Sequence, residues 1–315
     1  MPSTYLPVAR GTADLPHVQD LTDLLSRPNL RERVGALVGL AVTIGILVCV
    51  AAAVGRLRLG ELLDNLPTTA GFWALLAAAY LLAPTLEWVI LRRLWRLPTA
   101  GLVPLLRKQV ANELLLGYSG DAQFYFWARG AMPAEVAPFA TLRDMSILSA
   151  LAGNLATLIL MAMAYPTLNR LASGPLLQGA VLATLVVVVS SLGIFAARHA
   201  FFTFSLSRRA IAMIFLSHIA RIAAMLVLNA LLWAALIPGA TLGILLVLGT
   251  IRMMLSRVPL IPGKDVLLAG GAVALMGSDA KIAVALATIA GLMIALHALV
   301  GLATGVHDVA RRYRR

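Results

Sequence analysis

The sequence predicts an all-α polytopic membrane protein, a bundle of about seven or eight transmembrane helices with re-entrant or broken segments at 103–129 and 252–276. Three observations carry that prediction. Hydrophobic residues fill 60% of the 315 positions. Charged residues fill only 13%, against about 25% in soluble domains. Uncharged apolar runs recur along the chain, each with the roughly 20 residues that cross a hydrocarbon core about 30 Å thick. So much apolar sequence leaves no room for a large soluble domain, and the reading is a polar tail at 1–33, one membrane domain at 34–306 and a basic tail at 307–315. The first 33 residues are polar and lack the pattern of a cleaved leader, so the first apolar run is expected to stay as a helix.

The elements follow in order. Residues 34–55 contain no charge and form the first span. Residues 70–91 form the second and end in Arg92, Arg93, Trp95 and Arg96, a basic and aromatic edge suited to head groups. Tyr80, Pro84 and Glu87 share a face of that helix by their spacing, and Glu87, within about a turn of the end, reads as an interfacial carboxylate paired with a nearby arginine. The stretch 103–129 then breaks the apolar pattern, setting Asn112, Glu113 and Asp121 around Gly117 and Gly120, with Lys108 before them and Arg129 after. Basic residues on both flanks predict that this segment enters and leaves on one face.

Residues 140–164 form the third span, with Arg143 and Asp144 near its start and Asn154 on the same face. Residues 175–197 are uncharged and form the fourth. Residues 211–237 form the fifth, where His218, Arg221 and Asn229 make a polar stripe expected to face the bundle interior or an interface. Residues 241–255 form the sixth. The second broken stretch, 252–276, sets Arg252, Arg257, Lys264 and Asp265 around Pro259, Pro262 and Gly263. Residues 282–306 form the last span. With both termini inside, 20 of the 26 lysines and arginines fall on the cytoplasmic side, the asymmetry of a multi-pass protein of a bacterial inner membrane.

Irregular backbone at membrane depth survives only where protein buries it or where it lines a watery cavity. The two broken stretches are therefore the candidate site. They are expected to meet inside the bundle, because ionised groups in hydrocarbon cost roughly 3 kcal/mol each unless they converge and pair. The candidate substrate-binding residues are Lys108, Asn112, Glu113, Gly117, Gly120 and Asp121 from the first stretch, Arg143 and Asp144 beside it, and Arg252, Arg257, Pro262, Gly263, Lys264 and Asp265 from the second. Half-helix ends and these cations suit an anionic head group, with phosphate the natural ligand class.

Other classes find little footing. The net charge of +12 comes from short clusters beside apolar spans, so no nucleic-acid partner is expected. Cys49 is the only cysteine and reads as a small apolar residue. The five histidines show no metal-ligand spacing, and neither a nucleophile elbow nor a phosphate-binding glycine loop is present. Glu113 with Asp121 is a carboxylate pair that specifies no bond to cleave. No metal, cofactor or catalytic residue is expected. The partner is a membrane lipid, with a lipid-modifying or polysaccharide-synthesis enzyme as a further one. Three functions stay open: a flippase-like carrier of a phospholipid or anionic glycolipid, a non-transporting accessory subunit of a lipid-modifying or polysaccharide-export system, and a membrane-embedded transferase.

Three segments carry a family resemblance: LRRLWRL at Leu91–Leu97, NELLLGYSGD at Asn112–Asp121, and PLIPGKD at Pro259–Asp265. Together they resemble the membrane domain of lysylphosphatidylglycerol synthases and the stand-alone flippase-like integral membrane proteins related to it. Leu116 stands where that family usually has proline, and Lys264 where a second glycine is common. The resemblance implies a polytopic bundle with re-entrant helices that binds and translocates a lipid. By position, Asn112, Gly117, Gly120 and Asp121 take the first motif and Pro262, Gly263 and Asp265 the second. The aminoacyl-transfer domain of the full-length synthases has no counterpart in these residues, so lipid aminoacylation is not expected.

Overall fold

The computed structural model describes residues 66–115, 117–133, 136–171, 174–197, 203–237, 239–257, 264–276 and 280–313, together with Leu37, Ala41, Ile44, Gly45 and Val48. Those five isolated positions are helical; the rest of the predicted span at 34–55, with Cys49, and the tail at 1–33 lie outside the described residues. So do Pro259, Pro262 and Gly263.

The described chain is all-helical; besides those five isolated positions and a short 3-10 helix at Thr99–Gly101 it has nine α-helices: α1 (Ala70–Trp95), α2 (Leu102–Leu114), α3 (Ser119–Ala131), α4 (Pro138–Leu171), α5 (Pro175–Ala196), α6 (Arg208–Leu236), α7 (Leu242–Leu255), α8 (Lys264–Met276) and α9 (Ala280–Tyr313). Five of them, α1, α4, α5, α6 and α9, are long and apolar enough to cross a membrane, which makes this a multi-pass membrane protein. Their ends carry ordinary stop and start chemistry. Arg96 closes α1 in the left-handed conformation at φ 56° while its N–H bonds to the Arg92 carbonyl. Ser207 and Thr241 cap α6 and α7 by accepting from the backbone N–H groups of Ala210 and Ile244.

Two apolar layers order the bundle by depth. One joins Ile90 and Leu91 of α1, Leu142 to Leu148 of α4 and Ile214 of α6 with Phe124 of α3. The other joins Phe72 and Leu76, Ala164 and Leu168, and Leu232 and Trp233, the opposite stretches of the same three long helices. Between the layers those helices carry polar groups. The first layer marks a basic end, because Trp95 donates to Thr141 Oγ1 at 3.4 Å and the start of α4 binds the strand of chain just before α6. Arg92, Arg93, Arg208 and Arg209 cluster there. α5 packs against this frame through few residues and exposes Leu182, Val186 and Val189, as a lipid-facing helix should.

The short helices come in two pairs. α2 and α3, thirteen residues each, leave α1 and return to α4 at the basic end, packing side by side as a hairpin. α7 has fourteen residues, about 21 Å at 1.5 Å per residue, so 241–255 is not the complete crossing expected of it. It runs antiparallel to α4: Gly243 lies against Thr167, Thr250 Oγ1 reaches the Leu160 carbonyl, and Arg257 reaches Asn154. α7 thus starts at the far end and stops near the middle of α4, and α8 packs against it. The two short-helix pairs enter from opposite ends.

Candidate functional site

The tips of the two pairs meet around a cavity of about 430 Å³, within the range of small-ligand sites. Gly117, Tyr118 and Asp121 face it from the first hairpin, and Arg252, Ser256, Arg257 and Lys264 from the second. Glu87, Ser149, Gly153, His218, Arg221 and Asn229 complete the wall from the long helices. A second cavity of about 330 Å³ shares Glu87, Lys108, Glu113, Arg252 and Lys264 and extends to Tyr80, Asp265 and His297.

The first hairpin is built by close backbone approach. A methyl group at Gly120 would stand 2.1 Å from the Lys108 carbonyl oxygen, so only glycine lets α3 lie this near α2. Asn112 uses that proximity, accepting from the Gly120 N–H at 2.8 Å and donating to Asp121 Oδ2 at 2.8 Å. Ser119 Oγ donates to the Ala111 carbonyl at 3.0 Å, a second bond to an oxygen that also accepts from the Leu115 N–H at the end of α2. Tyr118 takes the left-handed conformation at φ 74°, a cost of roughly 1 to 2 kcal/mol for a residue with a Cβ, held in place by these bonds.

Charges then pair across the elements. Lys108 Nζ lies 2.9 Å from Asp121 Oδ1 and also contacts Glu87 Oε1, so one ammonium bridges α3 and α1. Arg252 pairs with Asp265, joining the end of α7 to the start of α8. Lys264 Nζ stands 4.0 Å from Glu113 Oε1, a contact between the two hairpins. Arg257 donates from Nη1 to Asn154 Oδ1 at 3.1 Å and from Nε and Nη2 to Ser256 Oγ. Its guanidinium lies on the α4 backbone at Gly153, where a methyl group would stand 2.5 Å from Nη1. Arg221 donates to Ser149 Oγ at 3.2 Å. His218, one turn earlier, is buried with neither ring nitrogen in a well-formed hydrogen bond, although the Met145 backbone approaches it.

The structure therefore brings together Lys108, Asn112, Glu113, Gly117, Gly120, Asp121, Arg252, Arg257, Lys264 and Asp265. It leaves two predicted residues out. Arg143 and Asp144 sit at the basic end, where Asp144 is fully buried and accepts from the backbone and hydroxyl of Ser205 at 2.7 Å each. Arg143 binds Asp144 at 2.7 Å and donates to the Thr203 carbonyl at 3.0 Å. The pair pins the connection before α6 and does not line the cavity, because its partners come from a loop that helical spacing does not reveal.

Glu87 is the reverse case. Read as an interfacial group with an arginine, it turns inward to Lys108 and the cavity; its spacing with Tyr80 and Pro84 was the signal. The stripe of His218, Arg221 and Asn229 lines the cavity too. Gly153 had no signal beyond being a glycine in an apolar helix. Among the described residues no group of three His, Cys, Asp or Glu could hold a metal ion. The arrangement offers paired charges and guanidinium donors at mid-depth, which is binding chemistry for an anion. Comparison with protein-family models, with curated proteins and with solved structures gives no match for this chain.

Proposed function

We propose that the protein binds a membrane lipid by an anionic head group held in the cavity between the two hairpins, and moves that lipid between leaflets in the manner of a flippase-like carrier. The observation that supports this reading is the meeting of two half-length hairpin tips at a cavity where five cations, Lys108, Arg221, Arg252, Arg257 and Lys264, face four carboxylates, Glu87, Glu113, Asp121 and Asp265, among the described residues. Broken helices whose ends converge at the midplane are how membrane carriers build sites for charged substrates. In this reading both hairpins are re-entrant, and with the five long helices and the apolar stretch at 34–55 they supply the seven or eight full and partial crossings. The basic end faces the cytoplasm of a bacterial inner membrane, with both chain termini on that side. The resemblance of the three motif segments to the membrane domain of lysylphosphatidylglycerol synthases and the stand-alone flippase-like proteins points the same way.

Purified protein in vesicles with fluorescent phosphatidylglycerol or phosphatidylcholine in one leaflet tests the proposal. Faster loss of the anionic lipid from its leaflet than in protein-free vesicles supports it. Binding of the anionic lipid without movement favours an accessory subunit, chemical change of the lipid favours a transferase, and no preference for the anionic lipid overturns the reading.

A further inference from the structure

We infer that Arg221 and Arg257 together form a phosphate-binding subsite of this cavity, taking the oxyanion between a guanidinium from α6 and one from the tip of α7. The inference rests on the head-group reading above and says where in the cavity the phosphate goes.

The charge pairing singles these two residues out. Lys108 has Glu87 and Asp121, Arg252 has Asp265 and Lys264 has Glu113. Arg221 and Arg257 have only neutral oxygens: Ser149 for the first, Asn154 and Ser256 for the second. Among the described residues no carboxylate lies within ion-pair distance of either. The Arg221 Nε is buried with no acceptor, and both guanidinium groups line the same cavity, where Glu87 acts on Arg221 from beyond ion-pair distance. Arg221 lies thirteen residues into α6, about 20 Å from its start, where a charge without a direct ion-pair partner is expensive. His218, on the same face of α6 as Arg221 and only 8% exposed, adds a buried polar ring to the cavity wall.

A chain that neutralises three cations of one cavity with its own carboxylates and leaves two arginines with hydroxyl and amide partners has kept those charges for an incoming anion. Each guanidinium carries a planar fork of donors matched to oxyanions. A carboxylate presents its acceptor sites in one plane, whereas a phosphate spreads its oxygens tetrahedrally and so suits forks that arrive out of plane from two elements. Gly153 belongs to the same device, since the Arg257 guanidinium occupies the space that a side chain there would take. A lipid phosphate and a free phosphate present the same chemistry.

The test measures binding to the full-length protein in phosphate-free maltoside detergent micelles. The probes are phosphatidylglycerol, phosphatidic acid, a fatty acid and inorganic phosphate, on wild type, Arg221→Gln, Arg257→Gln, Gly153→Ala and, as a charge-matched control at the exposed basic end, Arg209→Gln. The expected result is that each cavity arginine variant weakens binding of the phosphate lipids by about tenfold or more, with little change for Arg209→Gln and for the fatty acid. Competition by inorganic phosphate assigns the subsite to phosphate from either source; lipid binding without that competition assigns it to the head group. If Arg221→Gln or Arg257→Gln does not insert, Gly153→Ala, which displaces the Arg257 fork and keeps its charge, carries the comparison. Wild-type preference for phosphate lipids that survives in these variants overturns the subsite and leaves the head-group reading standing. Equal binding of the fatty acid overturns the phosphate assignment alone, and no preference of the wild type for anionic lipid removes both.

Discussion

Replacing Gly120 with alanine isolates the contact on which the first hairpin depends. The added methyl would stand 2.1 Å from the Lys108 carbonyl oxygen, against ordinary contact that begins near 3.4 Å. Because the obstacle is backbone, no side-chain rotation relieves it, and α2 and α3 must part by about 1.3 Å at that level. Such a shift breaks the Asn112–Gly120 and Asn112–Asp121 bonds at 2.8 Å and the Ser119–Ala111 bond at 3.0 Å. At about 1 kcal/mol each, the loss is about 3 kcal/mol, with Lys108 drawn away from Asp121 in addition. Gly130 on the same helix has nothing within 4 Å of the corresponding position, so Gly130→Ala should be neutral or stabilising by up to about 1 kcal/mol. Equilibrium unfolding in mixed micelles compares the two variants with wild type, and anionic-lipid binding is read on the same samples. Equal stability of Gly120→Ala and Gly130→Ala would refute the close approach of α2 and α3.

Three further substitutions separate architecture from binding. Asp144→Asn removes the charge partner of Arg143 and weakens two bonds to Ser205, so it should cost about 2 kcal/mol in the same unfolding assay, less than a fully enclosed pair because Arg143 is a third exposed, and leave the lipid affinity of folded protein within about twofold. Tyr80→Phe deletes the 3.1 Å contact to His297 Nδ1 that joins α1 to α9, with an expected loss of about 1 kcal/mol; a change above about 3 kcal/mol would show that more than this bond is at stake. Glu113→Gln touches a pair 4.0 Å apart with both side chains near a third exposed, and its effect on unfolding should stay under about 1 kcal/mol.

Long uncharged runs made the five crossing helices legible, and α5 at Pro175–Ala196 falls within a residue of the predicted 175–197. Hydrophobic length is a one-dimensional signal and one helix needs no partner to display it. The meeting of the broken stretches was also readable, since charge at membrane depth has few places to go. What stayed hidden depends on partners distant in sequence. Glu87 binds Lys108 across a chain reversal, and the Asp144 carboxylate binds Ser205, sixty-one residues on. The depth of α7 was hidden as well, because an apolar run does not show where it stops, and its contacts along α4, ending with Arg257 on Asn154, do.

Most of the polar contacts around the cavity lie within one hairpin or between a hairpin and the long helix beside it: Lys108 with Glu87 of α1, Arg257 with Asn154 of α4, Arg252 with Asp265. Among the described residues the ion pair that crosses from one tip to the other is Lys264 with Glu113, at 4.0 Å. Each tip is fastened more firmly to its own flank than to the opposing tip. The line between them is a seam with few polar ties, so separating the tips would break that one long pair and leave each tip's bonds to its own flank in place.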